Sequence, residues 1–132
     1  MAEDIRWKQR FSNYKKSLKN LEMAVNIDYP DLVQKAGIIQ FFEISFELAW
    51  KLLKDYLIAQ GFNEIKTPRA SIKKAFEIEL IEDGATWLEA LVNRNLSAHT
   101  YDEATSDIII KEISNTYYPL LRTLAEKMSS YE

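Results

Sequence analysis

Apolar side chains at Trp7, Phe11, Tyr14, Leu18, Leu21 and Val25 recur at alternating steps of four and three, with lysines and other polar residues between them. That period draws one stripe along an α-helix and would scatter the same residues over both faces of a strand. Turns are also scarce. Three glycines and three prolines in 132 residues are less than half of the roughly 12% of average usage, so an all-β chain would lack the turn residues it needs. The β-branched run Ile108-Ile109-Ile110 is short and lies inside a helical period, so no strand pattern competes.

The spacing predicts a first helix from about Asp4 to Val25, closed by the turn Asn26-Ile27-Asp28-Tyr29-Pro30. A second runs from about Asp31 to Gln60, bracketed by an early proline and by Gly61 at the position past the end that tolerates a left-handed backbone. Its middle, IIQFFEISFELAWKLLKDYL, is apolar on more than one side and marks it as the central helix. Thr67-Pro68 starts a short third helix that carries Ile72, Ala75 and Phe76. A fourth begins near Asp83 or Gly84, runs to Leu96 or Ala98, and sets Trp87, Leu88, Leu91 and Val92 inward. The last starts near Asp102 with Ile109, Ile113, Tyr117, Leu120, Leu124 and Met128 in helical spacing, and Pro119 predicts a kink or break in it. Short connections favour antiparallel neighbours. The expectation is an all-α fold, an up-and-down antiparallel bundle of four to five helices in a single domain over residues 1–132.

Composition removes several function classes. With no cysteine and one histidine there is no disulfide framework, no thiolate nucleophile and no multi-histidine metal site, so neither metal nor cofactor is expected. The charged N-terminus MAEDIRWKQRF does not suit a signal peptide, and no uncharged stretch approaches a membrane span. A soluble, intracellular, cytoplasmic protein without a membrane partner is the expectation. A net charge of −3, from 17 basic and 20 acidic residues, argues against a broad polyphosphate-binding surface and against a DNA partner, while leaving room for a focused basic site.

Two groups of residues are candidates for chemistry. Glu43 and Glu47 lie four apart on the second helix and share a face. They suit a metal or an acid/base pair; equally, Glu47 pairs with Lys51 and Glu43 meets solvent or a neighbouring helix. No histidine lies near them, which disfavours a di-metal bundle site. The second group is Asn93-Arg94-Asn95-Leu96-Ser97-Ala98-His99-Thr100-Tyr101, which holds the only histidine, an arginine, two asparagines, two hydroxyls and a phenol. Arginine offers a fixed fork of donors to phosphate oxygens, and histidine exchanges a proton near neutral pH. Five residues of helix rotate by about 500°, leaving Arg94 and His99 roughly 140° apart. The helix must therefore end between them, or two copies must meet. The competing reading makes His99 and Tyr101 a hydrogen-bonded helix end, with Arg94 paired to an acid on the central helix.

The string Arg94-x4-His99-x-Tyr101, with Asn95 after the arginine, resembles the R-x(4-6)-H-x-Y motif of the HEPN superfamily. The resemblance is to its HepT-like proteins, also described as the nucleotidyltransferase substrate-binding family. Phe42-Glu43 and Phe46-Glu47-Leu48-Ala49-Trp50-Lys51 resemble that family's second-helix signature, Gly61 its loop, Thr67-Pro68-Arg69 the start of its third helix, and Trp87 its residue ahead of the motif. The resemblance implies a helical bundle that forms a homodimer with the two motifs facing across a cleft. It also implies a partner, a minimal nucleotidyltransferase. Many members are metal-independent ribonuclease toxins neutralised by that partner as antitoxin, through transfer of AMP onto the motif tyrosine, here Tyr101. On this reading His99 is the acid/base, Arg94 the electrostatic stabiliser, Asn95 a donor that orients the phosphate, and RNA the substrate. The alternative is a noncatalytic substrate-binding or regulatory subunit of a two-component nucleotidyltransferase.

Overall fold

The computed structural model describes residues 2–97 and 102–132. Its elements are α1 (Ala2–Val25), α2 (Leu32–Ala59), α3 (Pro68–Glu77), α4 (Gly84–Ser97), α5 (Glu103–Glu112), a π-helical turn (Ile113–Tyr117) and α6 (Tyr118–Ser129). Among the described residues there is no strand.

Local chemistry sets the helix ends. Asp31 caps α2 by accepting from the Gln34 backbone N–H at 2.8 Å, while the Gln34 side chain accepts from the Asp31 backbone N–H at 2.9 Å. Pro30 thus lies just before the cap, outside the helix. At the far end Gly61 adopts φ +95°, a backbone that a side chain would strain. Thr67 caps α3 through Ala70 N–H at 3.1 Å, with Pro68 at the first helical position. Asp83 and Asp102 cap α4 and α5 through Thr86 and Thr105.

Cross-helix pairs fix the topology. Ser17 meets Ser45 and Arg10 meets Asp55, so α1 and α2 run antiparallel. Phe46 packs on Trp87 near the start of α4, while Ala36 and Ile39 line a groove with Ser97 at its end, so α4 runs antiparallel to α2. Lys35 reaches Glu103 and Asp107, and Phe42 stacks on Tyr117, so α2 runs alongside α5 and the π turn in the same direction. The long elements therefore alternate up, down, up, down, with α3 as a short strut against α2 and α4. The expected all-α up-and-down bundle is what forms, and α2 is central because it touches every other helix.

Phe11, Tyr14, Phe42, Phe46, Trp87 and Tyr117 fill the core beside Leu21, Leu52, Leu53, Leu57 and Ile72. Each such side chain contributes roughly 1.5–3 kcal/mol relative to exposure. One inward assignment needs correction. On α4 the buried positions are Gly84, Trp87, Ala90 and Ser97, with Leu88 and Leu91 at the flanks, whereas Val92 is 55% exposed. Val92 lies about 140° round the helix from Trp87 and about 200° from Ala90, so a stripe through those two residues turns it outward. On α3, Phe76 is half exposed and lies over Gly84 instead of filling the core.

The last helix is neither simply kinked nor broken. Its buried residues are Ile109, Ile113, Tyr117, Tyr118, Leu121, Leu124 and Met128, with Leu120 only partly buried. Twelve residues from Ile109 to Leu121 would turn an ideal α-helix about 1200°, or about 120° beyond three full turns. The wide turn absorbs the excess: Tyr118 N–H bonds the carbonyl of Ile113, five residues back. Pro119 follows immediately, where its missing donor falls in a ladder already interrupted.

Candidate functional site

Arg94 lies in the last turn of α4 and reaches across to α2. Its Nη2 donates to Glu47 Oε2 at 3.3 Å, and its Nη1 reaches Asn95 Oδ1 at 3.4 Å. The Nε is buried and has no partner among the described residues. Glu47 Oε2 also accepts from the Trp50 indole N–H at 3.0 Å, while Lys51 lies 3.4 Å from Oε1. Beside this cluster is a shallow groove of about 340 Å³ lined by Gln40, Glu43, Ile44, Glu47, Leu48 and Arg94.

The two candidate groups are therefore one site. The α2–α4 packing brings Glu43 and Glu47 to Arg94, and the Glu47 pairings with Lys51 and with Arg94 are both present. Burial pushes the Glu43 carboxyl above its ordinary range, and the Arg94 guanidinium opposes the rise. Glu47, by contrast, spends both oxygens on donors. The acids thus serve the arginine, holding its charge at the rim of an open groove.

Asn93 takes no part in the groove. Its amide donates to the Tyr117 hydroxyl, which is enclosed in the core, so it ties α4 to the π turn. Ser97 donates to the carbonyl of Arg94 at 2.8 Å and closes the last turn of α4. The described part of α4 runs to Ser97. His99 and Tyr101 lie outside the described residues. Beyond them, Asp102 accepts from Thr105, which holds its carboxyl below the usual range and fixes the start of α5. Lys35 of α2, 3.1 Å from Glu103 and 3.0 Å from Asp107, clamps that start onto the bundle. The described residues on either side of positions 98–101 are consequently anchored to α2.

Sequence reasoning did not single out Trp50. Its signal was the spacing Glu47, Trp50, Lys51, which puts an acceptor and two donors on adjacent positions of one helical face. Among the described residues no helix is long and apolar enough to cross a membrane.

Comparison with known proteins agrees with this fold. Over 99 residues the chain is 30% identical to the protein named probable ribonuclease HepT of Haemophilus influenzae, across 65% of this chain and 64% of that one. The match therefore spans a little under two thirds of that relative's length. A crystal structure of a Thermus thermophilus protein superposes with a TM-score of 0.76 at 28% identity, covering 89% of this chain and 97% of the other. The pattern of the family described as "nucleotidyltransferase substrate binding protein like" matches residues 9–130. With a match over most of its length, the chain belongs to this HepT-like, nucleotidyltransferase substrate-binding family.

Proposed function

We propose that the protein is a HEPN-type toxin, a metal-independent endoribonuclease neutralised by a partner minimal nucleotidyltransferase. The observation that carries the reading is Arg94: a guanidinium in the last turn of α4, at the rim of an open groove and five positions before His99 in the chain. Family membership and the name of the Haemophilus relative support it.

RNA cleavage by its own 2′-hydroxyl asks for three services. A base takes the 2′ proton, a cation stabilises the crowded phosphate, and an acid protonates the departing 5′ oxygen as the cyclic phosphate forms. Arg94 supplies the cation, His99 the proton transfers, and Asn95 a side-chain amide donor beside the phosphate. One histidine serves poorly as acid and base at once, and a homodimer that apposes two copies of the motif supplies a second. Acidic net charge restricts nonspecific RNA affinity, which suits a structured RNA end as substrate. AMP placed on Tyr101 by the partner would set an anion beside Arg94 and fill the cleft, silencing it.

The second reading, a noncatalytic regulatory or substrate-presenting subunit, is favoured by the family description and by the carboxylate already engaging Arg94. Inducible expression of the wild type, Arg94→Ala and His99→Ala, with and without the neighbouring transferase, separates the two. Growth arrest and RNA cleavage by the wild type alone, lost in both variants with helicity intact, support the toxin. Harmless wild type at full expression supports the subunit. Incubation with the transferase, ATP and magnesium should add AMP to wild type but not to Tyr101→Phe, read by intact mass.

A further inference from the structure

We propose that Trp50 and Glu47 form a positioning relay for Arg94, in which the indole fixes the carboxylate and the carboxylate fixes the guanidinium. One oxygen carries both links: Glu47 Oε2 accepts from Trp50 Nε1 at 3.0 Å and from Arg94 Nη2 at 3.3 Å. The consequence for catalysis rests on the ribonuclease reading; the relay itself does not.

The anchor is rigid because of where it stands. Trp50 is only 8% exposed and sits on the central helix between the fully buried Ala49 and Leu52. Lys51 and Lys54 each place an ammonium 6.0 Å from its ring centroid, and Lys51 also holds the other oxygen of Glu47 at 3.4 Å. A tryptophan ring has two side-chain torsions to fix, and here packing fixes both. The guanidinium at the other end rides on a long stem with considerable rotamer freedom in the last turn of α4. Tying Nη2 to an immobile acceptor removes that freedom before any substrate arrives. It holds Nη1, whose bond to Asn95 Oδ1 is long at 3.4 Å, in a fixed direction with donor capacity left for an incoming phosphate.

The shared oxygen makes the relay separable from a simple charge effect. Glutamine keeps an acceptor at that position and loses the charge, whereas alanine loses both. The experiment measures RNA cleavage together with the Arg94 Nε–Hε resonance, assigned by its loss in Arg94→Ala, for wild type, Glu47→Ala, Glu47→Gln and Trp50→Phe. Glu47→Ala and Trp50→Phe are expected to move the arginine resonance to the solvent-averaged position and to cut cleavage by about tenfold or more, with Glu47→Gln within about threefold of wild type. An arginine resonance unmoved by Glu47→Ala overturns the relay. So does a Glu47→Gln variant as impaired as Glu47→Ala, or a Glu47→Ala that cleaves faster, which would make Glu47 a competitor of the phosphate. Should wild type cleave no RNA while Glu47→Ala still shifts the resonance, the ribonuclease reading fails and the relay stands. Glu47 is partly exposed, so its variants decide the matter even if Trp50→Phe does not fold.

Discussion

The hydroxyl pair between α1 and α2 should behave as a unit whose halves are each worse than nothing. Ser17 Oγ and Ser45 Oγ lie 2.7 Å apart, with Ser45 fully buried and Ser17 7% exposed. Alanine at position 17 strands the Ser45 hydroxyl away from water. An unsatisfied buried polar group costs about 1–3 kcal/mol, and fallback onto a carbonyl one turn earlier in α2 brings the expected cost to about 1–2 kcal/mol. Alanine at position 45 strands Ser17 at a slightly wetter site and should cost somewhat less. The double variant removes both polar groups, and each alanine gains about 0.5 kcal/mol of helix propensity, so its stability should equal or exceed that of wild type. The coupling energy is then about 2–3 kcal/mol, at the upper end for contacting residues. With an unfolding entropy of about 2.1 cal/mol/K per residue, a loss of 1.5 kcal/mol lowers Tm by about 5 °C in a chain of this length. Urea unfolding followed by helical circular dichroism, with calorimetry alongside, measures all four proteins at one fixed concentration, since self-association would shift Tm. Single effects that add to within about 0.3 kcal/mol in the double variant would refute the reasoning.

The pH dependence of stability carries a signature of Glu43. Because burial raises its folded-state pKa above the ordinary value of 4.5, its stabilising contribution is complete below that value and is lost as pH rises through the raised one. Glu43→Gln should therefore flatten the stability profile from about pH 4 upward, and Arg94→Ala should push the Glu43 carboxyl higher still, as followed by carboxyl NMR titration. At the α3–α4 corner, a Cβ on Gly84 would lie 2.8 Å from Phe76 Cγ and 3.1 Å from Phe76 Cβ. Gly84→Ala should cost about 1–3 kcal/mol in urea unfolding, and most of that cost should vanish in a Phe76→Ala background. Asp31→Ala opens the capping box of α2 and should cost about 0.5–2 kcal/mol, with amide exchange quickening first in the residues after position 31.

What the sequence determined by itself is local in origin. The four-three period marked α1, and Asp31, Gly61 and Thr67-Pro68 marked ends of α2 and α3, because caps and helical periods act within a few residues of the chain. Arg94 stood out for the same reason, as part of a short string. Its partners were not legible there. Glu47 is 47 positions away, and which face of α2 meets which turn of α4 depends on how Phe46 seats against Trp87, with ring centroids 5.8 Å apart. That register is a property of close packing, where shape complementarity over many contacts outweighs any single residue's preference. The same cause assigned Asn93 to the core through Tyr117, turned Val92 away from the buried stripe of Trp87 and Ala90, and placed the wide turn at Ile113–Tyr117. In that last case the steps of four from Ile109 to Leu121 were written in the chain. Only packing on α2 and α4 required all four residues to face inward, and so converted an overlong spacing into a π turn.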